Sequence, residues 1–207
     1  MTSSFPDFSY EKQYQGVICG VDEAGRGPWA GPVVAAAVII TDSDAMPAGI
    51  HDSKKLTAST RNALLNDIQN NSEWCVGIAT PEEIDNINIL QATLLAMKRA
   101  VDGLPRKVDV ALIDGNQLPK LDCAMECIKK GDSRSLSIAA ASIIAKVTRD
   151  RMMAEAALTY PEYGFEKHAG YGTPQHQAAL AQHGVTPLHR KSFKPIKLLL
   201  AQAEQAA

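Results

Sequence analysis

The chain has 207 residues, of which 45% are hydrophobic, 21% charged and 5% aromatic. That balance is the one of an ordinary globular domain and excludes disordered, collagen-like and coiled-coil classes. A chain of this length buries on the order of 70% of the surface its unfolded form exposes, so its core needs neither disulfides nor structural metals. The longest apolar run, Val33 to Ile40, is far short of the ~20 residues that span a bilayer. The formal net charge is −2, unevenly spread: residues 7–85 hold 12 acids and 5 bases, and residues 146–197 hold 4 acids and 8 bases. A cytoplasmic, monomeric protein without a membrane partner is expected. Its basic C-terminal third suits a polyanion and its acidic N-terminal part suits a carboxylate site.

Along the chain, residues 1–15 are polar and read as a loose N-terminal arm, 16–160 as the main domain, and 161–207 as a C-terminal extension of loops and helices. Gly16 to Asp22 and Gly31 to Thr41 are β-branched runs bounded by glycines, which is the pattern of strands. Between them, residues 23–30 are too rich in Gly and Pro to continue a ladder and should turn the chain into a neighbouring strand. A loop leads to a helix from about Thr57 to Asn70, then to a third strand at Trp74 to Ala79. Thr80-Pro81-Glu82-Glu83 carries the cap, proline and glutamate of a helix start; after a short break a helix should run from about Ile89 to Asp102. Val108 to Ile113, ending at Asp114, and Cys123 to Ile128 read as the last strands. Ser133 to Thr159 has helical spacing and must end by Pro161. Short helices near 174–182 and 196–205 follow. Strands in hairpin-like succession, then alternating with helices, predict an α/β mixed sheet with helices packed on it.

The chemistry points to strand ends. Asp22 and Glu23 close the first strand, Asp114 closes the fourth, and Asp132 precedes the long helix. Sites in open sheets form where strands end, so these acids can converge. Carboxylates gathered without basic partners call for a cation, and oxygen-only ligands select Mg2+ or Mn2+, the chemistry of phosphoryl transfer. Each acid taken alone could equally be a cap or a solvated turn residue, and Asp132 shares its position with a helix-capping role. Asp22 and Glu23 are adjacent, so a regular strand sends them to opposite faces; both reach one site only if the strand breaks, which Gly25 would allow.

Gly25-Arg26-Gly27 lacks the spacing and the following helix of a dinucleotide-binding loop. It is either an ordinary turn or a place where backbone and a guanidinium approach a ligand closely. The five histidines show no metal-binding spacing, and no serine sits in a nucleophile elbow. Lys54-Lys55, Lys146, Arg149 and Arg190-Lys191 are candidate phosphate contacts. The cysteines Cys19, Cys75, Cys123 and Cys127 are expected to be free thiols in apolar surroundings.

These residues resemble the bacterial ribonuclease HII family, the type 2 ribonucleases H. The resemblance runs through 21–33 (VDEAGRGPWAGPV), 52–56 (DSKKL), 113–116 (IDGN), 130–132 (KGD), 137–150 (SIAAASIIAKVTRD), 163–165 (YGF), 168–173 (HAGYGT) and 189–193 (HRKSF). It implies a ribonuclease H-like fold with a small helical C-terminal extension that completes a substrate groove. It further implies a metal-dependent endoribonuclease acting on RNA/DNA hybrids and on duplex DNA containing ribonucleotides, with incision 5′ to the ribonucleotide. On this resemblance Asp22, Glu23, Asp114 and Asp132 are the metal-binding carboxylates, with Mn2+ or Mg2+ as cofactor. Gly25, Arg26 and Gly27 sense the ribose 2′-hydroxyl, Tyr171 stacks near the following deoxyribose, and Ser53, Lys54 and Lys146 contact phosphates.

Overall fold

The structure, a computed structural model, describes residues 5–205. Strands β1 (Ile18–Ala24), β2 (Val33–Ile40), β3 (Ser72–Ala79), β4 (Val110–Asp114) and β5 (Ala124–Ile128) form one sheet in the order β3-β2-β1-β4-β5. β2 is antiparallel to β1 and β3, while β4 runs parallel to both β1 and β5. The expected mixed sheet is therefore present. β1 and β4 are neighbouring inner strands, and their C-terminal ends lie at the same end of the sheet.

Helix α2 (Pro81–Asp102) covers one face over Cys19, Val21, Ala35, Ala37 and Ile113, and α1 (Ala58–Asn70) with α3 (Leu136–Thr159) covers the other over Ala36 and Val38. Burial on both faces removes any reason for polar alternation, which is why β2 is a continuous run of Val, Ala and Ile. Alanines let α3 approach closely: a Cβ on Gly20 would lie 2.3 Å from the backbone nitrogen of Ile138.

The Thr80/Glu83 capping box opens α2, and the expected break falls at Asn88, whose φ is 66°. The Asn88 side chain then accepts from the N–H groups of Leu90 and Gln91 at 3.0 and 3.2 Å, capping the second half of the helix. α3 begins later than Ser133, because Gly131–Ser133 forms a separate 3-10 turn and Ser135 is the N-cap. Helices α4 (Phe165–His168), α5 (Pro174–His183) and α6 (Lys194–Gln205) close a third cluster against Met153 and Ala157 of α3. Among the described residues all four cysteines are free, and no helix is long and apolar enough to cross a membrane.

One expectation is corrected. The described part of residues 1–15 is docked rather than loose: Glu11 is 2% exposed, and its Oε1 accepts from Ser135 Oγ and Ser137 Oγ, both at 2.6 Å, and from Ser137 N–H at 2.9 Å. An acid that satisfies the open N–H groups at a helix start is favoured by their partial positive charge, so polarity here marks a docking contact. Residues 1–4 lie outside the described residues.

Candidate active site

The parallel register of β1 and β4 pairs Val21 with Ile113, and the next step sets Asp22 beside Asp114 at the strand ends. Asp22 pairs with Ala36, on the α3 face, and Glu23 with Ala35, on the α2 face. The strand does not break between them, as the sequence argument had required; pairing continues to Ala24. The two acids straddle that end of the sheet, and Asp114 influences both charges. Asp132 is brought in by the 3-10 turn, whose Gly131 N–H donates to Asp114 Oδ1 at 2.7 Å. Because Ser135 caps α3, Asp132 has no capping duty and is 7% exposed.

Electrostatics sets this group apart from ordinary surface acids. Burial first, then the charges of Glu23 and Asp114, holds the Asp22 carboxyl well above the usual range. Burial also raises Glu23 and Asp114, against the pull of Arg26 on the former and of the Gly131 and Asp132 N–H groups on the latter. Asp132 is pushed up to about 6 by burial and by the charges of Asp52 and Asp114. Burial works against the Lys54 ammonium, yet Asp22, Asp52, Asp132 and Glu23 together raise it. Lys54 thus feels the charge of several of these acids at once. As the side chains stand, no three His, Cys, Asp or Glu among the described residues are close enough to hold one ion. Each carboxylate is turned to its own donor: Asp22 Oδ1 to the Glu23 N–H at 2.7 Å, and Glu23 Oε1 to Arg26 at 3.5 Å. The donor set itself fits a hard divalent cation, being all-oxygen, largely shielded from water and richer in acids than in the basic partners Lys54 and Arg26.

Gly25 has φ +99°, and a Cβ there would meet the Arg149 guanidinium at 2.1 Å, so only glycine fits. The turn that follows is held from beneath by Arg190. Its guanidinium donates to the carbonyls of Gly25 (2.5 Å), Arg26 (3.1 Å), Pro28 (2.7 Å), Gly31 (2.9 Å) and Pro32 (3.2 Å). Arg149 donates to the carbonyls of Ala30, Pro32 and Ala169. Both arginines are buried, at 0% and 1% exposure. Their expected role as phosphate contacts is corrected: neither guanidinium faces solvent; Arg190 braces the Gly25–Gly27 loop itself and Arg149 the segment that follows it. The loop leaves the Arg26 side chain half exposed, and a Cβ on Gly27 would lie 3.4 Å from the Tyr171 ring. Loop and tyrosine therefore form one surface.

Lys146 and Tyr171 line an open groove of about 680 Å³ between α1, α3 and α4, together with Arg61, Arg151 and Lys167. Lys146 pairs with Asp150 at 2.5 Å. Ser53 is placed differently from expectation: it is 3% exposed and its hydroxyl accepts from Ser142 at 2.8 Å, so it braces the loop before α1 from within and does not face the groove. Arg61 holds the same loop through the carbonyls of Ser53 and Leu56.

Comparison with known proteins gives the family. The profile of the family described as Ribonuclease HII covers residues 19–196. The ribonuclease HII of Parvibaculum lavamentivorans is 56% identical over 200 residues, spanning 95% of this chain and 74% of that protein. The chain belongs to the ribonuclease HII family. It is accordingly a ribonuclease H, a hydrolase of RNA in RNA/DNA hybrids. The ribonuclease HII of Magnetococcus marinus is 58% identical, covering 88% of this chain and 87% of its own. Among solved structures, the ribonuclease H2 of Pyrococcus horikoshii superposes with a TM-score of 0.76 at 27% identity, covering 92% of this chain and all of that one. The ribonuclease HII of Archaeoglobus fulgidus, solved in complex with PCNA, gives 0.69 at 26% identity over 86% of this chain and 96% of its own. A ribonuclease HIII solved with Mn2+ shares the fold at 21% identity and a TM-score of 0.68.

Sequence reasoning missed Asp52, which abuts Asp132, and the bracing arginines. Asp52 lies in the His-Asp-Ser-Lys-Lys run beside Lys54, which was a visible signal. The arginines carry none, since a guanidinium that binds main-chain carbonyls has the same local sequence as one in solvent.

Proposed function

We propose that this ribonuclease H also incises duplex DNA 5′ to single embedded ribonucleotides, leaving 3′-hydroxyl and 5′-phosphate ends, with Asp22, Glu23, Asp114 and Asp132 holding divalent cations, Mg2+ or Mn2+. The observation that carries the reading is the placing of four carboxylates, Asp22 and Asp132 buried and Glu23 and Asp114 partly so, beside the Gly25–Gly27 loop and Tyr171 at one end of the sheet. A divalent cation, when bound, supplies an activated water and stabilises the leaving oxygen.

The chain's own residues do the selecting. The 2′-hydroxyl, both donor and acceptor, is what separates RNA from DNA at a given position, and a rigid turn of glycines lets backbone groups approach it without a side chain intervening. Arg26 adds a fork of donors on the same surface. Tyr171, 49% exposed, offers a flat face on which a deoxyribose packs and a bulkier sugar fits less well. Lys54 neutralises the acids in the free protein and is positioned to turn to a phosphate once a cation takes over that duty. Lys146 and the groove formed with the 161–207 segment carry the duplex beyond the cut through phosphate contacts, which give affinity without base reading. The protein acts as a monomer in the cytoplasm in this reading.

The test is a labelled duplex with one ribonucleotide, incubated with Mg2+ or Mn2+, beside an EDTA control and an all-DNA duplex. Metal-dependent cutting immediately 5′ to the ribonucleotide is expected. Cutting of the all-DNA control, or binding without cutting, overturns the reading.

A further inference from the structure

Three histidines without metal-binding spacing meet in the C-terminal part of the molecule. His168, His176 and His189 are 8%, 0% and 1% exposed. The Gly170 N–H donates to Nδ1 of His168 at 3.3 Å, so its Nε2–H donates to the Tyr163 carbonyl at 2.8 Å. Nδ1 of His176 lies 3.0 Å from the Tyr171 carbonyl and must carry a proton, which makes its Nε2 an acceptor. Nε2 of His189, 3.0 Å away, must then donate to it, consistent with Nδ1 of His189 accepting from the Thr186 N–H at 2.9 Å. A single proton assignment satisfies every ring nitrogen, with each ring neutral. An added proton on Nε2 of His176 opposes the His189 N–H and breaks the bond, whereas one on Nδ1 of His189 opposes the Thr186 N–H but can be accepted by the Thr186 hydroxyl at 2.9 Å, leaving the Nε2–H of His189 in place.

The chain of rings connects the two recognition elements. Tyr171 is fixed through its backbone on both sides, its N–H donating to the His168 carbonyl at 2.9 Å and its carbonyl accepting from His176. At the other end His189 is bridged to Ala30, and the next residue, Arg190, holds the loop carbonyls from Gly25 to Pro32. Trp29 closes the circuit by donating to the Gly170 carbonyl at 2.8 Å.

We infer that the His176–His189 hydrogen bond is a positioning joint, holding Tyr171 in register with the Gly25–Gly27 loop only while the acceptor ring, His176, is neutral. The inference rests on the proposed reading of these elements as the ribonucleotide-recognition surface. The titratable or charged groups facing the joint are His168, stacked on His176 at 4.9 Å, Tyr163 packed against both rings, and the guanidinium groups of Arg190 and Arg149 beyond. Burial lowers His176, and burial with the neighbouring His176 pushes His189 down to about 4. The joint is closed at neutral pH and opens when acid protonates His176, which burial holds below the ordinary histidine range.

The experiment measures binding by fluorescence anisotropy in EDTA, without metal, to a duplex carrying one ribonucleotide and to its all-DNA counterpart, between pH 7.5 and 4. His189→Leu removes the donor at similar volume and should reduce the preference about two- to tenfold at neutral pH, the worth of one hydrogen bond. His189→Gln keeps an uncharged group near the Nε2 position, whose amide can donate to a neutral His176 or turn its oxygen to a protonated one. It should match the wild type at neutral pH and hold its preference at acid pH where the wild type loses it. Circular dichroism establishes folding, and His189→Gln keeps the inference testable where His189→Leu fails to fold. Identical preference and identical pH dependence in the wild type and His189→Gln, or nitrogen NMR placing the proton of His176 on Nε2, overturns the joint. The reading of Tyr171 fails separately, if Tyr171→Ala leaves the neutral-pH preference unchanged.

Discussion

Asp114 and Arg26 are the two side chains whose replacement separates chemistry from recognition most cleanly. Asp114 accepts the Gly131 N–H through Oδ1, a bond that an asparagine oxygen keeps, and burial already disfavours its charge. Asp114→Asn should therefore fold with an unchanged or higher melting temperature while hybrid cleavage falls by at least ~100-fold, the usual cost of removing a group that acts on charge in the transition state. Thermal melting and single-turnover cleavage measure the two halves of that expectation. Arg26 pairs with Glu23 at 3.5 Å through a half-exposed side chain, an interaction worth ~1 kcal/mol or less. Arg26→Ala should leave stability nearly intact and narrow the ratio of cutting rates between ribonucleotide-containing and all-DNA duplexes. An unchanged ratio would remove Arg26 from the recognition surface.

At the level of elements, the loop after β1 and the segment before it are held by buried polar contacts that composition conceals. Arg190 satisfies five carbonyls of residues 25–32. A lysine has a single ammonium in place of the five-donor fork and cannot serve that fan, so Arg190→Lys leaves several carbonyls unpaired and should cost about 3 kcal/mol or more, read from urea unfolding. The same variant should lose ribonucleotide selectivity before it loses hybrid binding, since the loop slackens while the groove lysines remain. Glu11 joins residues 5–15 to the first turn of α3 through three bonds. Glu11→Ala strands two serine hydroxyls and an N–H, and should destabilise the protein by about 1–3 kcal/mol. Because the 3-10 turn carrying Asp132 leads directly into that helix start, cleavage should weaken along with stability.

For the whole molecule, the carboxylates at the strand ends make stability depend on pH and on cations. Asp132 titrates near 6 when folded and near 3.8 when unfolded, so its contribution is fully present below pH 3.8 and is lost as pH rises through 6. At pH 8 without metal, Asp132→Asn should melt above the wild type, and near pH 4 the two should coincide. Adding Mg2+ or Mn2+ at pH 8 should raise the wild type more than the variant, because a ligand that binds only the folded state stabilises it in proportion to its occupancy. His189 acts in the opposite sense. Its folded value of about 4 lies below the ordinary 6.5, so stability is lost as pH falls across that interval. Melting temperature against pH, with and without cation, distinguishes the two contributions by the direction of their slopes.

Local chemistry made much of this legible in advance. The capping box at Thr80, the break before Ile89, the unbroken apolar β2 and the acids at strand ends are each dictated by neighbours a few residues away, and the structure has them where spacing predicts. What no local rule could supply is the partner across space. That Asp22 lies beside Asp114 follows from a parallel register between segments nearly a hundred residues apart. That Arg149 and Arg190 are buried braces, Ser53 an inward contact and Glu11 an anchor follows from which backbone groups the fold leaves open around them. A polar side chain is compatible with water or with an unpaired carbonyl alike, and the choice falls to whichever the packed chain brings within hydrogen-bond reach. The sequence by itself therefore determined the elements and the kinds of atoms at the site, and tertiary structure decided which polar residues face substrate and which hold the surface that does.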